Sequence, residues 1–243
     1  MPIKIDNHFE SDCLFFIFSQ ELTMPNLSVE FHCHTIYSKD SLTRPQDLVN
    51  AARKKGIDRV IVTDHNSIGG ALEAQAIDPE RIIVGEEIMT TKGEILAAFV
   101  REEIPAGLTP QETIKRLREQ GAFISVSHPF DVMRGGHWKM PDLLEILPLV
   151  DAIETFNARC WLRNFNAQAL AFARVRNVPG TVGSDAHTTW ELGRATLSLA
   201  PFSGPEELRA VLPQAQIRAR MSSPLIHLTS RYATIVKKLK RQR

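Results

Sequence analysis

Across residues 28–212, short apolar runs alternate with longer stretches in which apolar residues recur at helical spacing. The runs at 29–34, 58–63, 81–88, 94–100, 122–127, 152–156 and 181–183 predict buried strands. Between them, Thr43-Arg44-Pro45 opens a helix that places Leu48, Val49 and Ala52 on one face and stops at Gly56. A second helix is expected over 68–76, and Thr109-Pro110-Gln111-Glu112 is a capping box for a third that ends at Gly121. Further helices are expected over 140–149, 162–176 and 205–212. Strand and helix in repeated succession imply a parallel α/β sheet. About seven strands joined in this way fit a closed or distorted barrel better than an open wound sheet, and no Gly-x-Gly-x-x-Gly or phosphate-loop lysine points to a nucleotide fold.

Outside this pattern lie two segments. Residues 1–27 have no clear period and end near Met24-Pro25, so they are expected to be an extension, or the product of a start placed too early, outside a barrel domain at 28–216. Residues 217–243 carry Arg218, Arg220, Arg231, Lys237, Lys238, Lys240, Arg241 and Arg243 with no acidic residue. The chain as a whole has a net charge of +1, so the remainder is acidic, at about −7. After Pro224 the tail is expected to be amphipathic, with Leu225, Leu228, Tyr232, Ile235, Val236 and Leu239 on one face.

Three cysteines without Cys-x-x-Cys spacing argue against a disulfide framework or a thiolate metal site, and point to a reducing cytoplasm. The apolar run 14–18 is too short to span a bilayer and is preceded by Asp6, Glu10 and Asp12, so neither export nor a membrane span is expected.

The candidate chemistry sits at strand ends. Side chains at i and i+2 of a strand point the same way, so His32 and His34 can present two imidazoles to one point, an arrangement suited to a borderline metal. Of the eight histidines, His32, His34, His65, His128 and His187 all fall at the carboxyl end of an expected strand, alongside Asp40, Glu87 and Asp185. In a parallel barrel those ends surround a single mouth. Asp64 and Glu86 neighbour better candidates on strands where alternate positions face inward, and are expected to support ligands or to face solvent. Glu154 reads equally as a ligand or a buried acceptor. Cys33 is expected in the core, His137 in an exposed loop beside Gly135 and Gly136, and His8 and His227 in segments outside the core.

Taken together, His32-x-His34 with Asp40, Thr63-Asp64-His65, Gly85-x-Glu87, His128-Pro129 and Ser184-Asp185-Ala186-His187 resemble the ordered motifs of the polymerase and histidinol phosphatase (PHP) superfamily. The likeness spans roughly residues 28–212. Gly93-Glu94-Ile95, the 104–108 segment, His128-Pro129-Phe130-Asp131 and the 190–195 segment resemble its stand-alone phosphoesterase branch. The resemblance implies a distorted seven-stranded (β/α) barrel with a metal site at the carboxyl ends of its strands. It implies two or three divalent ions, one held by His32, His34, Glu87 and Asp185, a second by Glu87 and His128, and a third by Asp40, His65 and His187. Where many members have a histidine on the strand after the bridging glutamate, this chain has Glu94, a carboxylate able to ligate in its place.

Nitrogen and carboxylate donors without thiolates suit Zn, Mn or Fe. The reaction expected is hydrolysis of a small or nucleotide-like phosphate ester by metal-bound hydroxide, since no Ser or Cys nucleophile with an adjacent base is visible. Arg134, Arg159 and Arg194 follow motif strands and are expected to bind the phosphate. The alternatives are a metal-binding PHP module without turnover and an amidohydrolase-type enzyme, disfavoured because its middle-strand lysine or histidine is replaced here by Asp40, His65 and His187. The basic tail suggests a weak nucleic-acid contact, though no aromatic stacking platform accompanies it.

Overall fold

The computed structural model describes residues 25–241, so the expected extension lies outside the described residues as far as position 24. Nine strands are present among the described residues: β1 (Leu27–Cys33), β2 (Arg59–Val62), β3 (Ile82–Met89), β4 (Glu94–Ala98), β5 (Phe123–Val126), β6 (Ala152–Asn157), β7 (Gly180–Gly183), β8 (Ala195–Leu199) and β9 (Gln216–Ala219). They form one sheet in the order β7-β6-β5-β4-β3-β2-β1-β8-β9. The expected boundary between barrel and tail at 216/217 falls inside β9.

The sheet curls until its first and seventh strands meet. Cys33 bridges Ala186 just beyond β7, and the His34 amide donates to the Ala186 carbonyl at 2.8 Å. A barrel-shaped, nearly closed mixed α/β sheet results. Closure needs close approach at Gly183, where an added Cβ would stand 2.3 Å from the His32 Cβ and 2.7 Å from Glu154 Oε1.

The uniformly parallel expectation needs correction. β1/β2, β2/β3, β5/β6 and β6/β7 are parallel, but β4 is antiparallel to both β3 and β5, and β8 is antiparallel to β1 and β9. The reason lies in the connection: only residues 90–93 separate β3 from β4, and a parallel crossover needs a dozen or more. At the other connections, apart from the helix-free 184–194 link between β7 and β8, helices intervene: α1 (Pro45–Lys55), α2 (Gly69–Ile77), α3 (Pro110–Glu119), α4 (Met140–Ile146) and α5 (Arg163–Arg176), with α6 (Pro205–Val211) between β8 and β9.

Alternation along the strands divides the core in two. Val60, Val62, Ile82 and Val84 pack with Leu48, Val49 and Ala52 of α1 and Ala71 and Ala74 of α2. Ile61, Ile83, Phe123 and Val182 join Phe31 and the α6 side chain Leu208 in a second cluster. This apolar plug fills the half of the barrel remote from the strand ends that carry the polar candidates.

The tail forms a helix, α7 (Ile226–Arg241), and it docks with its apolar stripe turned largely outward. Ile226 and Ala233 are buried, whereas Leu225, Leu228, Tyr232, Ile235 and Leu239 remain exposed, Leu225 at 70%. The helix meets the barrel through polar groups because the surface beneath it is polar: Ser230 accepts from Arg159 Nη2 at 2.7 Å, and Lys237 Nζ donates to the carbonyls of Ile36 and Ser38.

Candidate metal centre

Glu87, near the end of β3, is the hub. Its Oε1 accepts from Ser127 Oγ at 2.7 Å and lies 3.2 Å from His128 Nε2. Its Oε2 stands 3.3 Å from His32 Nε2, 3.5 Å from His34 Nε2 and 3.0 Å from His65 Nδ1. Asp185 Oδ1 completes this side, 3.2 Å from His34 Nε2 and 3.7 Å from His32 Nε2, while the two Nε2 atoms are 3.1 Å apart. A tetrahedral ion with ligand bonds of ~2.1 Å has edges of ~3.4 Å, and the distances from the two imidazole nitrogens to each other, to Glu87 and to Asp185 lie near that spacing.

On the opposite side, Glu94 Oε2 is 3.2 Å from His128 Nε2, and Glu94 Oε1 is 3.7 Å from His65 Nδ1. Glu94 opens β4, and because β4 runs antiparallel its first residue lies at the same end of the barrel as the last residues of β3. Gly136 makes room for it, since an added Cβ there would sit 2.0 Å from Glu94 Oε2. Asp40 closes the third corner, with Oδ1 3.6 Å from His65 Nε2 and Oδ2 3.3 Å from His187 Nε2. All nine expected ligands therefore converge, and three overlapping groups among them could hold a metal: His32, His34 and Glu87; His65, Glu87 and Glu94; and His34, His65 and His187.

Fit to cations shows in what is left unsatisfied. Glu87 Oε2, Asp185 Oδ1 and Asp40 Oδ1 are buried yet make no hydrogen bond, although a buried carboxylate oxygen without a partner is costly. All three point at imidazole nitrogens, in the manner of ligands around an ion. Asp185 and His128 also hold positive φ, 52° and 20°, a strain found where side-chain aim matters.

A second layer aims the ligands. Glu154 Oε1 is 2.9 Å from His32 Nδ1, which leaves Nε2 free to face the centre, and Glu154 Oε2 accepts from the His128 amide at 2.8 Å. Glu154 is thus an acceptor and not a ligand. Asp64, buried, accepts from Thr35 and from Ser38 Oγ at 2.6 Å, and Ser38 Oγ is 3.1 Å from His34 Nδ1. Glu86 faces elsewhere and accepts from the Ile104 amide at 3.0 Å. Cys33 is buried in the core, as expected.

Imidazoles and carboxylates in the cluster set each other's charge. Burial disfavours charge on His32 and His65, but Glu87 with Asp185 around the first and with Asp40 around the second holds both imidazoles well above their ordinary range. His34 is pushed down to about 3 by burial and by His187 and His65. Burial opposes ionisation of Glu87 and Asp185, yet the neighbouring His32, with His65 for Glu87 and Arg134 for Asp185, holds both carboxyls well below the usual range.

The three arginines part company. Arg134 lines the mouth, with Nη1 2.6 Å from Asp185 Oδ2. Arg159 also lines the mouth, but it is 3% exposed and its guanidinium is engaged by Glu191, the Asp185 and Ile226 carbonyls and Ser230. Arg194 is not among the residues lining the mouth, so the expectation that it binds phosphate there finds no support in its position. The mouth itself is a cavity of about 300 Å³ lined by Asp40, His65, Glu94, Asp185 and His187 and also by Lys39, Trp161, His227 and Ser230. Nothing in the sequence pattern marks these last four, because His227 and Ser230 arrive on a helix whose apolar stripe faces away. His137 stays outside, its Nδ1 2.6 Å from the Arg134 carbonyl.

Two family models match the chain: the PHP domain over residues 30–120 and the PHP-associated segment over residues 163–217. Over 180 residues the chain is 38% identical to the Methanocaldococcus jannaschii protein MJ0417, an alignment covering 73% of this chain and 72% of that protein. The chain belongs to the PHP family. Two solved structures share the fold at low identity. A candidate metal-dependent phosphoesterase from Bifidobacterium adolescentis superposes with a TM-score of 0.56 at 18% identity, covering 68% of this chain and 90% of that one. The lesion-specific endonuclease EndoQ of Pyrococcus furiosus gives 0.52 at 16% identity, covering 79% of this chain and 57% of the endonuclease. No helix among the described residues is long and apolar enough to cross a membrane.

Proposed function

We propose that this PHP protein is a metal-dependent phosphoesterase acting on a small or nucleotide-like phosphate ester. The observation that carries the reading is the placement of Glu87: one oxygen faces His32, His34 and His65 and the other faces His128, so one carboxylate can be shared between neighbouring ions. His32, His34, Glu87 and Asp185 would hold one ion, Glu87, Glu94 and His128 a second, and Asp40, His65 and His187 a third. When bound, Zn, Mn or Fe supplies Lewis acidity that acidifies water and neutralises phosphoryl oxygens, the chemistry suited to in-line attack at phosphorus.

The chain's own groups do the rest. Glu154 and the Asp64–Ser38 pair fix the ring orientations of His32 and His34, so the nitrogens stay aimed without rearrangement. Arg134 brings positive charge to the rim of a cluster rich in carboxylates, where an incoming phosphate needs it. Arg159 acts by holding the Asp185 backbone and α7 together. Support also comes from the similarity to the Bifidobacterium adolescentis protein.

The test is metal analysis of the purified protein alongside a phosphoester panel: nucleoside monophosphates, 3′,5′-bisphosphates, short oligonucleotides and histidinol phosphate, each with and without chelator. Hydrolysis that stops with chelator and returns with added metal is expected. A protein fully loaded with metal that cleaves none of them is a metal-binding module, and the proposal fails.

A further inference from the structure

The family models match only as far as residue 217, and α7 begins at Ile226, yet α7 reaches the metal centre. It is fastened at both ends of its course. Near its start, Arg159 Nη2 donates to the Ile226 carbonyl at 3.2 Å and to Ser230 Oγ at 2.7 Å, while Arg159 Nη1 donates to the Asp185 carbonyl at 3.4 Å. Three turns on, Lys237 Nζ donates to the carbonyls of Ile36 and Ser38, in the loop that also carries Asp40. The helix is therefore tied through Arg159 to the backbone of Asp185 and directly to the loop that carries Asp40, and it lines the mouth with His227 and Ser230.

Two consequences are visible. The cavity over the ligands is about 300 Å³, the lower end of what accommodates a small organic ligand, and His227 and Ser230 of α7 form part of its wall. His227 also lies flat on Trp161, with ring centroids 3.9 Å apart and planes within 6°. The Trp161 amide donates to the buried Asp131 at 3.3 Å, which fixes the residue's backbone, and the residue keeps 38% of its surface exposed. His227 is pushed down to about 4 by burial and by Arg159 and Arg134, so the stacked pair is uncharged near neutrality. An aromatic wall beside a metal centre recognises planar groups of any sequence or substitution, because stacking needs only a π-face.

We infer that α7 is a roof over the metal centre, which seats Trp161 and His227 as an aromatic wall for a planar leaving group and limits the substrate to a single phosphate ester of about mononucleotide size. The inference rests on the phosphoesterase reading and narrows it: a phosphomonoester of a nucleoside or aryl alcohol fits, and an oligonucleotide does not.

Two measurements on the full-length, metal-loaded protein test it. The first is calorimetric binding of phenylphosphonate and of its saturated counterpart, cyclohexylphosphonate, neither of which can be hydrolysed. The wild type is expected to bind the planar phosphonate about tenfold more tightly, and Trp161→Ala to reduce that ratio below threefold while leaving cyclohexylphosphonate affinity within threefold. An unchanged ratio overturns the aromatic wall. The second compares kcat/KM for adenosine monophosphate and a 5′-phosphorylated hexanucleotide in the wild type, in a chain ending at residue 223, and in Ser230→Arg, which sets a like charge against Arg159 and lifts the helix if the truncated chain folds poorly. Displacing α7 is expected to raise the hexanucleotide-to-mononucleotide ratio at least tenfold, and equal handling of both substrates by the wild type overturns the roof. Absence of turnover on every ester would sink the phosphoesterase reading, while the phosphonate binding arm would still report on the wall.

Discussion

Glu86 and Glu87 are adjacent carboxylates with opposite roles, and the two-residue period of β3 separates them. Glu87 turns to the imidazoles; Glu86 turns to the Ile104 amide, with its Oε1 buried and unpartnered. Burial, eased only in part by the Ile104 amide, pushes the Glu86 carboxyl up to about 8 from an ordinary 4.5. Between those values the folded protein keeps a proton that the unfolded chain has lost, so stability falls as pH rises through that window. Glu86→Gln keeps the acceptor for Ile104 and removes the penalty. Its unfolding free energy is expected to exceed the wild type's by roughly 2–4 kcal/mol at pH 8 and by little at pH 5. Thermal or urea unfolding at the two pH values decides it, and an equal gain at both would show that the proton is not the cause. The alternation rule that separates these residues, and sets Cys33 apart from His32 and His34, is visible in sequence because it is local. The fate of Glu154 is not: whether a strand-end carboxylate ligates or orients depends on the distance to His32, set by how far the barrel closes.

Element by element, the strands and most helices are legible from apolar period and caps, and Thr109 Oγ1 does accept from the Glu112 amide as the capping box requires. Direction and partner are less legible. An apolar run reads the same whichever way it runs, so the reversal of β4 shows only in the shortness of the 90–93 link, and β8 and β9, short strands in the antiparallel end of the sheet, escape the pattern. The amphipathic stripe of α7 predicts the helix but does not say which face docks, because polar bonds to Arg159 and to the Ile36–Ser38 loop decide the docking. Closure itself turns on one residue. Gly183→Ala would place a Cβ within 2.3 Å of the His32 Cβ, an atom with no freedom to move independently of the β1 backbone. The expected result is a loss of about 3 kcal/mol or more, as for overpacking in a rigid core, together with weakened metal uptake because His32 is displaced. Denaturant unfolding and metal stoichiometry should fall together; a destabilised variant with full metal content would uncouple closure from the site.

At the scale of the whole molecule, the metal centre is also the largest concentration of buried charge. Without metal, the cluster balances itself by holding protons: Glu87, Asp40 and Asp185 are held ionised, and their field keeps His32 and His65 protonated well above the ordinary imidazole range, with His128 carried up to about 9 by Glu87 and Glu94 against burial and Arg134. A metal binds only neutral imidazole, so each ion entering near neutrality must displace protons. Metal affinity should therefore rise with pH from 6 to 9, with at least one proton released per ion at pH 7. Calorimetric titration in two buffers of different ionisation enthalpy measures that number directly, and a heat independent of buffer would refute the protonated cluster. The same binding should stabilise the fold, by ~2.7 kcal/mol at a free metal concentration 100 times Kd, or roughly 5–10 °C in Tm for a chain of this size. Because the displaced protons and the gained stability share one origin, a chelator should lower Tm more at pH 8 than at pH 6, where protons compete with the ion for His32 and His65.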